Sequence, residues 1–289
     1  FWAGNCYLQP INNFHPGFLM PIELIASAPA QRSRPQAQGN PFEAVRQQVI
    51  ENLKGVKKVI AVHSGKGGVG KSTFAVNLAA SLVQSGSAVG LIDADVDCPS
   101  CHKLLGSNQR VFADEKQRLR PLESHGIKFL SVGNMVESED SANIMRGPVM
   151  FKLISEMFYK AEWGELDYLL VDLPPGTGDN PLTVMQIAPL KGLIIVTQPQ
   201  EVALVDARKS ANMAKRMDVP VLGIVENMNG DVFGSGGGEQ TAKKLGIKFL
   251  GGIPLKKSVR ESSDAGIPAI LSDKELLATF SKIIFETGI

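Results

Sequence analysis

Gly65-Lys66-Gly67-Gly68-Val69-Gly70-Lys71-Ser72 fits the pattern G-x-x-x-x-G-K-[ST], in which glycines let the backbone bend until successive N–H groups point inward at phosphate oxygens. The flanking sequence supplies the setting such a loop needs. Val59-Ile60-Ala61-Val62 is a short apolar run of the kind found in strands buried on both faces, and Ser72 to Gln84 reads as a helix whose N-terminal dipole would face the bound anion. In that setting Lys71 is expected to pair with the β- and γ-phosphates of ATP, and the Ser72 hydroxyl to ligate Mg2+, with Thr73 beside it.

Outward from this loop the pattern repeats. Further apolar runs follow at Val89 to Ile92, Ile127 to Val132, Tyr168 to Val171, Leu193 to Val196, Val221 to Val225 and Phe249 to Ile253. Helical stretches lie between most of them, including Val149 to Lys160, Val202 to Arg216 and Gly236 to Leu245, while Pro41 to Lys54 reads as a helix ahead of the first strand. Such alternation, closed by right-handed crossovers, predicts a doubly wound α/β fold with a mostly parallel sheet and helices on both faces. One domain is expected over 41–289. Residues 1–40, with scattered aromatics, Pro10, Pro16, Pro21, Pro29, Pro35 and no sustained period, are expected to form a disordered or non-native arm.

Ligands of such sheets bind beyond the carboxyl ends of the strands, so the loops there carry the candidate chemistry. Leu91-Ile92-Asp93-Ala94-Asp95 places two carboxylates just past a strand, able to orient a water or to bind Mg2+ through water, with capping of the next helix as the alternative for Asp93. Leu170-Val171-Asp172 ends another strand on an aspartate, the Walker B arrangement, in which Asp172 holds the Mg2+ coordination shell. The Pro174-Pro175-Gly176 that follows stiffens a turn suited to sensing the γ-phosphate. Gly236-Gly237-Gly238 lacks a terminal lysine and is expected to be only a flexible helix entry, not a second phosphate loop.

Two features narrow the family. Lys66, a second lysine at the start of the loop, resembles the deviant Walker A group of P-loop ATPases, which includes the MinD, ParA, nitrogenase iron protein and Mrp families. The strings Asp172-Leu173-Pro174-Pro175-Gly176-Thr177-Gly178-Asp179, Met145-Arg146-Gly147-Pro148, Pro199-Gln200-Glu201-Val202-Ala203-Leu204-Val205-Asp206, Val225-Glu226-Asn227-Met228, Phe233-Gly234-Ser235-Gly236 and Ile253-Pro254 resemble the Mrp-type iron–sulfur cluster carrier ATPases in particular, from about residue 42 to the end. The resemblance implies a nucleotide-sandwich homodimer in which Lys66 acts in trans and Lys71 in cis. It further implies that Asp95 is the aspartate tied to hydrolysis, that Asn227 contacts the adenine and that Pro254 lines the base pocket. Partners implied are iron–sulfur client or scaffold proteins.

One departure bears on the cargo. Mrp-type carriers bear a C-x-x-C soon after E-N-M, and two such pairs supply four thiolates to a [4Fe–4S] cluster across the dimer axis. Here Asn229-Gly230-Asp231-Val232 leads straight into Phe233-Gly234, which excludes a cluster at that place. Another pair stands at Cys98-Pro99-Ser100-Cys101, where a relocated cluster or zinc site, a redox switch and simple packing at a helix start all remain open.

The rest of the composition limits the alternatives. Lys plus Arg is 30 against Asp plus Glu 29, so no global charge argues for nucleic acid or an acidic membrane surface. With three cysteines, Cys6, Cys98 and Cys101, and no apolar run of membrane-spanning length, the expectation is a cytoplasmic protein. The second function class is a MinD- or ParA-like positioning ATPase without a cluster, whose membrane helix would be Lys274 to Phe285; packing of that helix against the domain is the expectation. A third is an electron-donating ATPase like the nitrogenase iron protein.

Overall fold

Alternation along the strands builds two cores, one on each face of a single sheet. The computed structural model describes residues 41–135 and 147–289. In β1 (Val56–His63) Val59 and Ala61 enter one core while Ile60 and Val62 enter the other. The same split recurs in β5 (Leu166–Asp172), with Leu169 and Val171 against Leu170, and in β6 (Leu190–Thr197), with Leu193 and Ile195 against Ile194 and Val196. A strand that buries both faces reads as a continuous apolar run, which is why these segments were legible.

The remaining strands are β2 (Val89–Asp93), β3 (Leu122–Ser124), β4 (Ile127–Ser131), β7 (Val221–Asn229) and β8 (Phe249–Pro254). Their order is β3-β4-β2-β5-β1-β6-β7-β8, parallel throughout except for β3, which pairs antiparallel with β4 at the edge. The first core is covered by α1 (Pro41–Asn52), α4 (Gly147–Tyr159), α5 (Asp179–Ile187), α6 (Glu201–Arg216) and α7 (Gly237–Leu245). The second is covered by α2 (Lys71–Gln84), the single turn α3 (Cys101–Leu104) and α9 (Lys274–Thr287), with α8 (Lys257–Asp264) outside them.

β1 lies between β5 and β6, so the chain that leaves β1 winds first to one side and later to the other. That reversal opens a crevice above the carboxyl end of β1. The glycine-rich loop from Gly65 to Gly70 begins two residues beyond β1 and occupies this crevice. The expected arm over 1–40, and Met145 and Arg146, lie outside the described residues.

The C-terminal helix α9 turns Leu276, Phe280 and Ile283 into the second core, and the Phe280 ring stacks on Phe74 of α2 with centroids 5.4 Å apart. Its apolar face is therefore taken up by packing, as expected from its few basic residues. Among the described residues no helix is long and apolar enough to cross a membrane.

Candidate nucleotide and cation site

The carboxyl ends of β1, β2, β5, β6 and β7 bring together the candidate residues that fall among the described ones, joined by Pro254 at the end of β8, except that Cys98 and Cys101 face different surroundings. The glycine-rich loop is pressed between two neighbours. A Cβ on Gly65 would collide with the Asp206 carbonyl of α6, and one on Gly70, whose φ is 82°, would collide with the Asn227 amide. Ser64 Oγ donates to the Lys66 carbonyl at 2.9 Å and pins the loop's first turn. Gly67, Gly68, Lys71 and Ser72 then line a cleft of about 680 Å³ together with Asp95 and Pro175.

Lys71 and Ser72 open α2 and meet Asp172 at the end of β5. Lys71 Nζ donates to Asp172 Oδ1 at 2.8 Å and lies 3.8 Å from Asp95, while Ser72 Oγ donates to Asp172 Oδ2 at 2.5 Å. Asp93 takes a different part. Its Oδ2 accepts from the backbone N–H groups of Ser100 and Cys101 at 2.9 and 3.0 Å and from Ser131 Oγ at 2.9 Å, so it caps the start of α3.

The charges do not balance. Asp93 and Asp172 are fully buried and Asp95 nearly so, and Lys71 is the cation placed among them. Burial and the neighbouring Asp172 charge push Asp93 up to about 7, against the pull of Lys71. Burial also raises Asp95, with Lys71 opposing it. For Lys71, burial works against the charge, but the carboxylates of Asp172 and Asp95 outweigh it and the net direction is upward. Hard oxygen donors short of positive charge suit Mg2+, and Ser72 with Asp172 are the residues that would hold it.

The two cysteines differ. Cys98 is exposed and Cys101 is fully buried, its Sγ 3.6 Å from Asp172 Oδ2. Asp93, Cys101 and Asp172 bring donor atoms within 4.8 Å of one another, and Cys98 does not join them. Burial, then the Asp93 and Asp172 charges, push the Cys101 thiol well above the ordinary range, so it stays S–H. The pair as placed does not present two thiolates on one surface, and a four-thiolate cluster does not fit it.

The base side is built by β7 and β8. Asn227 Nδ2 donates to the Val69 carbonyl at 2.8 Å, which ties β7 to the phosphate loop and leaves its Oδ1 free of that bond. Asn227, Met228, Ile253 and Pro254 line a second cavity of about 250 Å³ that touches Gly70 and Thr73.

Three residues here were given no role in the reading of the sequence, although Glu226 and Met228 stand in one of the strings that carry the resemblance. Gln198, just past β6, donates through Nε2 to Met228 Sδ at 2.9 Å and reaches the Gly68 carbonyl at 3.4 Å. Met228 itself sits at φ 57°, a strained position for a residue with a side chain. Glu226 is buried, and its two carboxylate oxygens accept from the N–H groups of Gly236 and Gly238 at 2.9 and 2.6 Å. The glycine cluster is thus held at the start of α7 rather than left loose. An internal carboxylate already occupies that helix N-terminus, which gives a physical reason why it is not a second phosphate site. A polar residue closing an apolar run, as in Thr197-Gln198, was the available signal.

After β7 the chain turns tightly. Gly230 and Gly234 exchange backbone bonds of 2.9 and 2.7 Å, with Asp231, Val232 and Phe233 as the tip. Lys66 stands in the phosphate loop just before the lining residue Gly67, and among the described residues no carboxylate pairs with it.

The pattern of the family described as ParA, NUBPL iron-transfer P-loop NTPase, matches residues 55–287. A protein of Deinococcus radiodurans named iron–sulfur cluster carrier protein is 48% identical over 239 residues, covering 78% of this chain and 67% of its own. One of the same name from Methanocaldococcus jannaschii is 45% identical, over 82% of this chain and 86% of its own. Among solved structures, a nucleotide-binding protein of Archaeoglobus fulgidus in complex with ADP superposes with a TM-score of 0.69 at 36% identity, covering 79% of this chain and 94% of that one. The cell division ATPase MinD of Pyrococcus furiosus shares the fold, with a TM-score of 0.63 at 20% identity over 80% of this chain and 98% of its own.

Proposed function

This chain belongs to the family of ParA-type, NUBPL iron-transfer P-loop NTPases, and from that membership we propose that it hydrolyses ATP to ADP and phosphate as an iron–sulfur cluster carrier or assembly factor. The observation that carries the reading is the contact of Lys71 and Ser72 with Asp172, three groups from the phosphate loop, helix start and strand end that a triphosphate and its cation require together.

Each residue then has a part. Lys71 exchanges the Asp172 carboxylate for the β- and γ-phosphate oxygens, and the loop amides from Gly65 to Thr73 cradle them. When bound, Mg2+ neutralises charge on those oxygens, held by Ser72 and Asp172. Asp95, 3.8 Å from Lys71 Nζ and lining the same cleft, orients the attacking water. Asn227 and Pro254 take the adenine. Lys66 reaches the phosphates of a second copy, so that ATP closes a homodimer and hydrolysis opens it. A reducing, cytoplasmic setting belongs to the same reading. The positioning-ATPase alternative is the weaker one, because the apolar face of α9 is already packed.

Cargo is the open part of the proposal. The usual cysteine pair is missing, so either Cys98 and Cys101 rearrange to bind the cluster or a client or scaffold partner brings thiols of its own. Anaerobic reconstitution with iron and sulfide, on wild type and on Cys98→Ala/Cys101→Ala, separates these when run beside an ATPase assay. Cluster absorption that needs both cysteines supports the carrier form. No cluster in wild type leaves the assembly-factor form, and no ATP hydrolysis in wild type sinks both.

A further inference from the structure

His63 is the last residue of β1, is 0% exposed, and has no hydrogen-bond partner at either ring nitrogen. Buried polar atoms are rarely left so. The surroundings explain how it arises. On either side of His63 the backbone laces β1 to the loop that follows Asp172: Leu173 N–H donates to the Val62 carbonyl and Gly176 N–H to the Ser64 carbonyl, both at 2.9 Å. Between those two rungs stand Pro174 and Pro175, which have no N–H to offer. Opposite them is the imidazole, which faces the carbonyls of Pro174 and Gly176 without reaching hydrogen-bond geometry to either.

Burial, and then the Lys71 charge, hold the His63 ring down to about 3, so it is neutral. A neutral imidazole has one N–H and one lone pair. It can satisfy one of two facing carbonyls, and its bare nitrogen is repelled by the other. The ring therefore has two possible partners in the loop rather than one. The loop also reaches the nucleotide cleft: Pro174 and Pro175 line that cleft with Ser64, Lys71 and Asp95, and Pro175 Cγ lies 4.0 Å from where a Gly67 Cβ would stand.

We propose that His63 is a positioning residue for the loop Leu173–Gly178: its single N–H takes the carbonyl of Pro174 or of Gly176, and the nucleotide in the cleft decides which. The inference rests on the ATPase reading above and deepens it, since it names the group beneath the phosphate-facing loop that registers the triphosphate. Packed bistable contacts of this kind convert a small displacement at a site into a discrete change.

The test uses the full chain with 15N-labelled histidine rings, the His63 signals being assigned with His63→Gln. The ring is expected to change its tautomer or its N–H protection between the Mg·ADP and the Mg·nonhydrolysable-triphosphate complexes. Identical His63 signals in the two complexes overturn the proposal, and this readout needs no turnover. In kinetics, His63→Leu is expected to lower kcat about tenfold with KM for ATP within about twofold, and His63→Asn, which keeps an amide donor, to recover part of the loss. An unchanged kcat in His63→Leu, or a loss that His63→Asn does not lessen, also overturns it. A wild type that binds both nucleotides yet hydrolyses no ATP would sink the ATPase reading while the ring signals still decide this one.

Discussion

At the scale of single residues, Lys71 and Asp172 are a buried pair, and removing one member strands the other. Lys71→Ala leaves Asp172 fully buried without its cation and is expected to lower stability by about 3 kcal/mol, seen as a fall in the urea midpoint. Lys71→Ala/Asp172→Asn removes the stranded charge and should regain much of that loss, with no return of ATPase activity. Asp93 carries a pH signature. Its folded value of about 7 lies above the ordinary 3.8, because burial and the Asp172 charge favour the protonated acid. Folding therefore takes up a proton between those two values, and the contribution of Asp93 to stability is present below about 3.8 and lost as pH rises toward about 7. Without added cation, the urea midpoint of wild type should fall more between pH 5 and pH 7 than that of Asp93→Asn; equal slopes would remove Asp93 as the cause. The identities at Lys71, Ser72, Asp95 and Asp172 were legible because their spacing from apolar runs announces them. His63, Gln198 and Glu226 were not, because each works through a neighbour that only the folded sheet supplies.

At the scale of elements, the strands buried on both faces and the long amphipathic helices were read within a few residues of their ends. What went unread has a physical reason in each case. β3 is three residues long and pairs antiparallel at an edge, too short to show a period. α5 starts among Pro174, Pro175, Gly176 and Gly178 and carries Pro181 in its first turn, so its beginning reads as loop. α8 buries none of its residues, so its sequence shows no apolar stripe. Glu226 ties two elements together, and Glu226→Ala would leave the buried Gly238 N–H and its neighbour without acceptors. That variant is expected to lose about 2 kcal/mol of stability and to bind ADP more weakly, since Asn227 follows on the same strand; Glu226→Gln, which keeps one acceptor, should lose less. Phe280 is the anchor of α9 and also lines the base-side cavity, so Phe280→Ala should lower stability by about 3 kcal/mol and raise KM for ATP, measured by urea unfolding and steady-state kinetics.

At the scale of the whole molecule, the central position of β1 makes one crevice the meeting point of five strand ends, which is why motifs scattered over more than 150 residues converge. That convergence follows from winding and handedness, and was readable. In the proposed homodimer, the face that meets a second copy would depend on Lys66, whose ammonium has no carboxylate partner among the described residues. Sedimentation with a nonhydrolysable triphosphate should show a dimer for wild type and, for Lys66→Ala, a dissociation constant raised at least about tenfold; a Lys66→Ala dimer of unchanged strength would remove Lys66 from the interface. The turn closed by Gly230 and Gly234 has a consequence for engineering. It joins β7 to α7 through a three-residue tip that bears no part of either core, and lengthening such a connection costs only about 0.6 kcal/mol per doubling. The connection is thus a place where chain can be added or removed: a metal-gripping segment could be spliced in at Val232 or left out while the P-loop frame beneath it stays whole.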